Sequence, residues 1–162
     1  MSEDQVTEET SFANSTVLVV DDNPQNLELL VAYLDALECQ VVTACDGVDA
    51  LEKMQTLTPD LILLDVMMPR MSGFEVCRKL KSDPRTREIP IIMVTALNEL
   101  SDIERGVESG TDDFISKPVN RLELLTRVRS LLRVRHLRNE LDRTLAYLNS
   151  VEAKPESDAA KQ

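Results

Sequence analysis

The tightest constraint on the fold is the run Leu61-Ile62-Leu63-Leu64-Asp65, with Val66-Met67-Met68-Pro69 behind it. Four apolar residues follow one another without alternation and end in a carboxylate. A strand with one face in solvent alternates apolar and polar residues. An unbroken run bounded by Pro59-Asp60 and Pro69 reads instead as a strand buried on both faces, which suits a parallel sheet. Asp65 then stands at the carboxyl end of that strand, the edge where open α/β sheets bind ligands. An Asp after a strand is also a common turn starter or helix cap, so this stretch alone leaves both readings open.

The rest of the chain repeats the pattern. Val17-Leu18-Val19-Val20 is a second unbroken run and ends directly in Asp21-Asp22. Asn23 can cap a helix and Pro24 suits its first turn. Leu27, Leu30, Val31 and Leu34 then recur at helical spacing up to Leu37. Gln40 to Ala44 reads as a short strand, Asp46-Gly47 as a turn, and Val48 to Leu57 as a helix with Ala50, Leu51 and Met54 inward. After the opening strand, a helix from Phe74 to about Ser82 buries Val76, Cys77 and Leu80, and Asp83-Pro84 stops it. Ile91 to Val94 is a strand ending at Thr95-Ala96. A helix runs from about Ser101 to Ser109, and Gly110 ends it. A weak strand, Asp113 to Ser116, ends at Lys117-Pro118, and a long helix starts near Arg121. Five strands alternating with five helices through short connections predict an α/β fold. Its expected form is a flavodoxin-like doubly wound five-stranded parallel sheet, order 2-1-3-4-5.

Composition narrows the function classes. The chain has 162 residues, 43% of them apolar, and only two Tyr, three Phe and no Trp, so Leu, Val, Ile and Met fill the core. The formal charge of −11 argues against nucleic-acid binding by the body and suits a cluster of acids around a divalent cation. Cys39, Cys45 and Cys77 are odd in number with no C-x-x-C spacing, which speaks for reduced thiols rather than a disulfide framework or zinc site. No apolar run reaches the roughly 18 residues of a membrane span. The acidic start is the opposite of a secretory signal, so the expected location is cytoplasmic. Residues 1–15 read as a disordered acidic leader, 16–134 as the globular domain, 135–151 as a helical extension and 152–162 as a disordered tail.

In the expected topology Asp21, Asp22, Asp65, Thr95 and Lys117 converge on one edge of the sheet. Three carboxylates in one pocket repel and raise one another's pKa. A hard divalent cation makes them tolerable, and magnesium takes about six oxygens. A carboxylate can also act as a nucleophile and form an aspartyl-phosphate, whose oxygens need a metal, an ammonium and a hydroxyl or amide donor. Lys117 and Thr95 supply the last two kinds.

These pieces resemble the receiver domain of bacterial two-component response regulators, over about residues 16–134. The matching segments are Val19-Val20-Asp21-Asp22-Asn23, Leu64-Asp65-Val66-Met67-Met68-Pro69, Met71-Ser72-Gly73, Val94-Thr95-Ala96, Gly110-Thr111-Asp112-Asp113-Phe114 and Lys117-Pro118. The resemblance implies a signalling switch in which Asp65 accepts a phosphoryl group from a histidine kinase or phosphotransfer protein. It implies that Asp22, Asp65 and the backbone carbonyl of Met67 hold Mg2+ (or Mn2+), with Asp21 helping through water. Thr95 would turn toward the phosphoryl group and Lys117 pair with one of its oxygens. Phe114 would be the switch aromatic, and the bond before Pro118 would be cis. Catalysis of its own would extend only to phosphoryl transfer onto Asp65 and hydrolysis of the product. A phosphatase of the haloacid type also forms an aspartyl-phosphate, but it needs a second Asp two residues on, where this chain has Met67.

The last helix, Arg121 to Val151, is longer than a receiver needs. Leu122, Leu125, Val128 and Leu132 can cover the sheet, but Val134, Leu137, Leu141, Leu145 and Leu148 continue the stripe with nothing of this chain left to cover. Seven arginines lie between Arg121 and Arg143 against three acids. They read first as a solvated face with i,i+4 pairs such as Glu123–Arg127. The segment 131–137 resembles the connector helix that leads to diguanylate cyclase or phosphodiesterase output domains. The expected partners are therefore the phosphoryl donor, an unknown downstream protein, and a second copy through helix 4, strand 5, helix 5 and the C-terminal helix. No membrane and no nucleic acid is expected. The alternative is a dimerisation or adaptor module, or a receiver fragment of a larger regulator.

Overall fold

The structure is a computed structural model describing residues 11–96 and 100–159. Five strands alternate with five helices: β1 (Thr16–Val20), α1 (Pro24–Leu34), β2 (Gln40–Ala44), α2 (Gly47–Lys53), β3 (Leu61–Asp65), α3 (Gly73–Ser82), β4 (Ile91–Thr95), α4 (Leu100–Ser109), β5 (Asp113–Ser116) and α5 (Arg121–Ala159). A 3-10 turn, Asp35–Leu37, extends α1. All strand pairs are parallel and the order is β2-β1-β3-β4-β5. This is the doubly wound fold expected from the sequence.

The unbroken apolar runs are explained by two cores, one on each face. Leu18, Val20, Ile62, Leu64, Ile91 and Met93 point into the layer shared with Ala50, Phe74, Val76, Cys77 and Leu80. Val17, Val19, Leu61, Leu63 and Ile92 point the other way, toward Leu30 and Leu34 of α1 and Leu124, Val128 and Leu132 of α5. Successive strand residues face opposite sides, so a strand covered on both faces has no position for a polar residue until it reaches the edge.

Helices start at that carboxyl edge and are capped there. Asn23 Oδ1 accepts from the N–H groups of Gln25 and Asn26 at 2.9 and 3.3 Å. Asp46 and Ser72 accept from Asp49 N and Glu75 N, and Asn120 from Glu123 N. Each cap satisfies a donor that a helix start leaves unpaired.

Three boundaries differ from expectation. The leader was expected to lack structure through residue 15, but Phe12 is buried at 6% exposure in the α1/α5 layer. Its carbonyl accepts from Ser15 N, and Ser15 in turn bonds to Gln40. One large apolar side chain inside a polar stretch suffices to fasten it. Residues 1–10 of that leader lie outside the described residues. The tail was expected to be disordered from residue 152, but α5 is helical to Ala159. Polar composition does not end a helix, and Glu152, Ala153 and Lys154 are good helix formers; residues 160–162 lie outside the described residues. Helix α2 ends at Lys53 rather than Leu57, with Met54 as its C-cap.

Beyond Leu132, α5 leaves the body as an arm. Arg138 Nη1 bonds Glu88 Oε2 at 2.8 Å, and Arg135 Nη1 reaches the Glu88 carbonyl at 3.5 Å. Arg135 Nε lies 4.0 Å from Asp60 Oδ1. These contacts reach loops on the amino edge of the sheet, opposite the candidate site. Among the described residues, no helix is long and apolar enough to cross a membrane.

Candidate functional site

Each of four adjacent strands delivers a reactive side chain to the same edge. Asp21 and Asp22 follow β1, Asp65 ends β3, Thr95 ends β4 and Lys117 follows β5. Asp21, Asp65 and Thr95 are 1%, 3% and 6% exposed, while Asp22 is exposed at the mouth. Lys117 Nζ donates to Asp65 Oδ1 at 3.1 Å and stands 3.6 Å from Asp21 Oδ2. One carboxylate oxygen from each of Asp21, Asp22 and Asp65 lies within 4.8 Å of the others.

The electrostatics are those of an incompletely neutralised pocket. Three carboxylates face one ammonium. Burial pushes the Asp65 carboxyl above the usual range, and the Asp21 charge adds to this. The Lys117 hydrogen bond and a backbone hydrogen bond with Met67 pull the other way. Asp21 Oδ1 accepts from Asn23 N at 2.9 Å, but among the described residues Oδ2 is buried without a hydrogen-bond partner. A buried carboxylate oxygen with no donor is costly. A hard cation among these oxygens removes both the repulsion and the deficit, and three carboxylates match the oxygen ligands that magnesium or manganese prefer. The residues therefore fit such an ion.

The backbone around Asp65 is held closely. Gly73 N bonds the Val66 carbonyl at 2.9 Å. A Cβ on Gly73 would lie 2.3 Å from the Asp65 carbonyl oxygen, so only glycine lets α3 start this close to the acid. Arg70, with φ +69°, sits in the same loop and pairs with Asp46, the cap of α2, at 3.2 Å. Met67 is 63% exposed beside the pocket. Lys117 N bonds the Thr95 carbonyl at 2.8 Å, which ties the two strand ends together. The Lys117–Pro118 bond is cis.

Phe114 lies on β5, the strand that leads to Lys117. Its side chain is partly buried against the core layer that contains Met93. A Cβ on Gly106 of α4 would lie 2.2 Å from Phe114 Cζ, so the ring occupies a socket that exists only because residue 106 is glycine. The sequence reading missed the roles of Gly73 and Gly106. A glycine inside a helical pattern was the available signal, but only the contact across the fold shows what each accommodates.

A 2-1-3-4-5 parallel sheet with carboxylates, a hydroxyl and an ammonium at its carboxyl edge defines the receiver class of signalling domain. The chain belongs to that family, since the response regulator receiver domain model matches residues 17–129. The response regulator PleD of Caulobacter vibrioides is 50% identical over 128 residues, 79% of this chain and 28% of PleD. The DNA-binding dual master transcriptional regulator RpaA of Synechocystis sp. is 42% identical over 117 residues, 72% of this chain and 48% of RpaA. The chain thus spans less than half the length of these two relatives. Among solved structures, the receiver domain of a signal transduction histidine kinase from Syntrophus aciditrophicus aligns with TM-score 0.70 and 38% identity, covering 74% of this chain and 90% of that one. The receiver domain of the Pseudomonas aeruginosa sensor histidine kinase PA1611, with magnesium coordinated in its active-site cleft, aligns with TM-score 0.68 and 30% identity, covering 73% and 97%.

This chain is accordingly a receiver domain of the two-component type, a class consistent with a phosphorylation-dependent signalling switch. Receiver domains are in general switches rather than enzymes, they bind Mg2+ at an acidic pocket, and they imply a histidine kinase or phosphotransfer partner.

Proposed function

We propose that Asp65 is the phosphoacceptor and that its phosphorylation controls protein contacts made by this chain. The carrying observation is a carboxylate buried at 3% exposure, hydrogen-bonded to Lys117 Nζ at 3.1 Å and crowded by two further acids. An Asp65 oxygen attacks the phosphorus of a phosphohistidine. The new O–P bond forms as the P–N bond breaks, and the imidazole leaves with the electron pair. Lys117 stays beside the acceptor and neutralises a phosphoryl oxygen. Thr95, at the end of the adjacent strand, offers a hydroxyl to another. Asp22, Asp65 and the Met67 carbonyl would hold Mg2+ or Mn2+, and Asp21 would assist them. The ion, when bound, offsets the charge of the phosphoryl oxygens.

The donor reaches the site beside α1. A groove of about 490 Å³ runs from Asp21 and Lys117 past Pro118 to Leu29 and Tyr33. Phe114 is the switch aromatic on the α4, β5 and α5 face. That face and the arm of α5 form the surface through which a homodimer or a downstream protein is controlled. Reduced thiols and the acidic composition support a cytoplasmic setting. The arm, with its resemblance to connector helices, also supports a receiver fragment of a larger regulator, which uses the same switch.

The test is direct. With magnesium and acetyl phosphate, intact mass should rise by one phosphoryl group, and Asp65→Asn should remain unmodified. Label persisting in that variant refutes the assignment.

A further inference from the structure

We infer that the cavity where α5 leaves the body, on the amino edge of the sheet and opposite Asp65, is an oxyanion-binding site. It stands independently of the phosphoacceptor reading. The cavity, about 240 Å³, lies between the segment before β1, the loop before β3 and α5. That is below the roughly 300–1,000 Å³ of pockets for drug-sized ligands, and it suits a small anion or one charged side chain.

Its walls are fixed by the fold. Phe12 is buried in the α1/α5 layer. Ser15 N bonds the Phe12 carbonyl and Gln40 N the Ser15 carbonyl, both at 2.9 Å. Thr16 N donates to Asp60 Oδ2 at 2.9 Å, and Asp60 N donates to the Thr16 carbonyl at 2.7 Å. On α5 the core face of Leu124, Val128 and Leu132 passes at helical spacing into Arg135, Asn139 and Arg143. These three polar residues line the cavity where the apolar surface of the body ends.

The lining holds more donors than acceptors can satisfy. The Arg135 side chain is 14% exposed, and Asp60 Oδ1 stands 4.0 Å from its Nε, beyond hydrogen-bond length. Among the described residues that buried Nε–H has no hydrogen-bond partner, and Arg143 enters no ion pair. The two acids of the lining are already engaged, Asp60 with Thr16 N and Glu140 with His136 at 3.2 Å. Residues 121–143 carry seven arginines against three acids, which tilts the local field positive. A cation would meet two guanidinium groups, and an apolar group would leave the buried Nε–H unpaired. A carboxylate or phosphate-type oxygen accepts from both arginines in charge-assisted hydrogen bonds. Asn14 and Ser11 across the cavity offer neutral donors. Such a ligand bridges the arm to the body.

Two sources carry this chemistry. One is a free phosphate-type anion. The other is Glu8 and Glu9, three and two residues before Ser11 in the sequence. Side-chain NMR of the full chain separates them, with inorganic phosphate titrated against chloride at matched ionic strength. The Arg135 Nε–H signal and the Asn139 amide should shift and saturate together. Arg143→Gln should weaken that binding about three- to tenfold, and Arg135→Gln should remove it, with melting curves to show that both variants fold. If the glutamates fill the cavity, Glu8→Gln/Glu9→Gln should move the Arg135 signal without phosphate and admit phosphate that wild type excludes. An Arg135 signal that neither phosphate nor the glutamine substitutions move overturns the proposal. So does a shift that chloride reproduces, phosphate binding seen only beside Lys117, or binding that both arginine variants leave intact. Phosphorylation of Asp65 is read separately by mass.

Discussion

At the scale of the residue, the reactivity proposed for Asp65 comes with a cost in stability. Burial and the Asp21 charge favour its neutral form in the folded chain. A carboxyl whose folded pKa lies above its unfolded value of about 3.9 binds more protons folded than unfolded between the two values. Stability therefore falls as pH rises through that window, and at neutral pH the ionised group is a net cost. In the absence of divalent cations, Asp65→Asn should remove that part of the pH slope and raise the melting temperature at pH 7 by a few degrees, a shift on the order of 1 kcal/mol. Magnesium should raise the wild-type melting temperature and affect the variant less. A lower melting temperature for the metal-free variant would show that the Lys117 bond outweighs burial and repulsion.

At the scale of the element, α4 packs directly against Phe114. Several contacts among the described residues help fasten this helix. Phe114 fills the Gly106 socket, Arg105 lies over the Phe74 ring at 4.7 Å, and Cys77 Sγ donates to the Ser109 carbonyl at 3.3 Å. Gly106→Ala is a sharp probe because two effects oppose. Alanine gains about 0.5–1 kcal/mol of helix propensity, while forcing the ring out of its socket costs about 1–3 kcal/mol. We expect a net loss of about 1–2 kcal/mol in urea unfolding, with a changed Phe114 environment by NMR. Net stabilisation would mean that the ring leaves its socket freely.

These elements also mark what the sequence could disclose. The strands were legible because burial on both faces forbids polar residues, and the site was legible because its members fall at strand ends whose order the crossovers dictate. Contacts between distant segments were not. The arginines of α5 read as a solvated face, and Glu123–Arg127 is indeed an i,i+4 pair. Yet Arg127 is held chiefly by Asp113, and Arg138 by Glu88 from the loop before β4. Phe12 sat in a polar context that gave no sign of its burial. The helical end of the chain was hidden because polarity resembles disorder when no apolar stripe accompanies it.

At the scale of the whole molecule, the switch need only bias an equilibrium. A coupling of about 1–3 kcal/mol changes an association constant roughly 5- to 150-fold. Light scattering with and without beryllofluoride, a mimic of the phosphoryl group, should therefore show a shift of the monomer–dimer midpoint within that range. Asp65→Asn should show none, and an unchanged midpoint in wild type would uncouple phosphorylation from self-association. The arm gives such a bias mechanical reach. Beyond Arg138, bonded to Glu88, the helix extends to Ala159, a rod of about 31 Å at 1.5 Å per residue. Pivoted there, its tip travels about 0.5 Å for each degree of tilt, so a reorientation of 10° would carry the far end about 5 Å, close to one helical turn. Side-chain adjustments of an ångström beside the acceptor would then emerge, at the other end of the molecule, as a displacement large enough to change which residues meet.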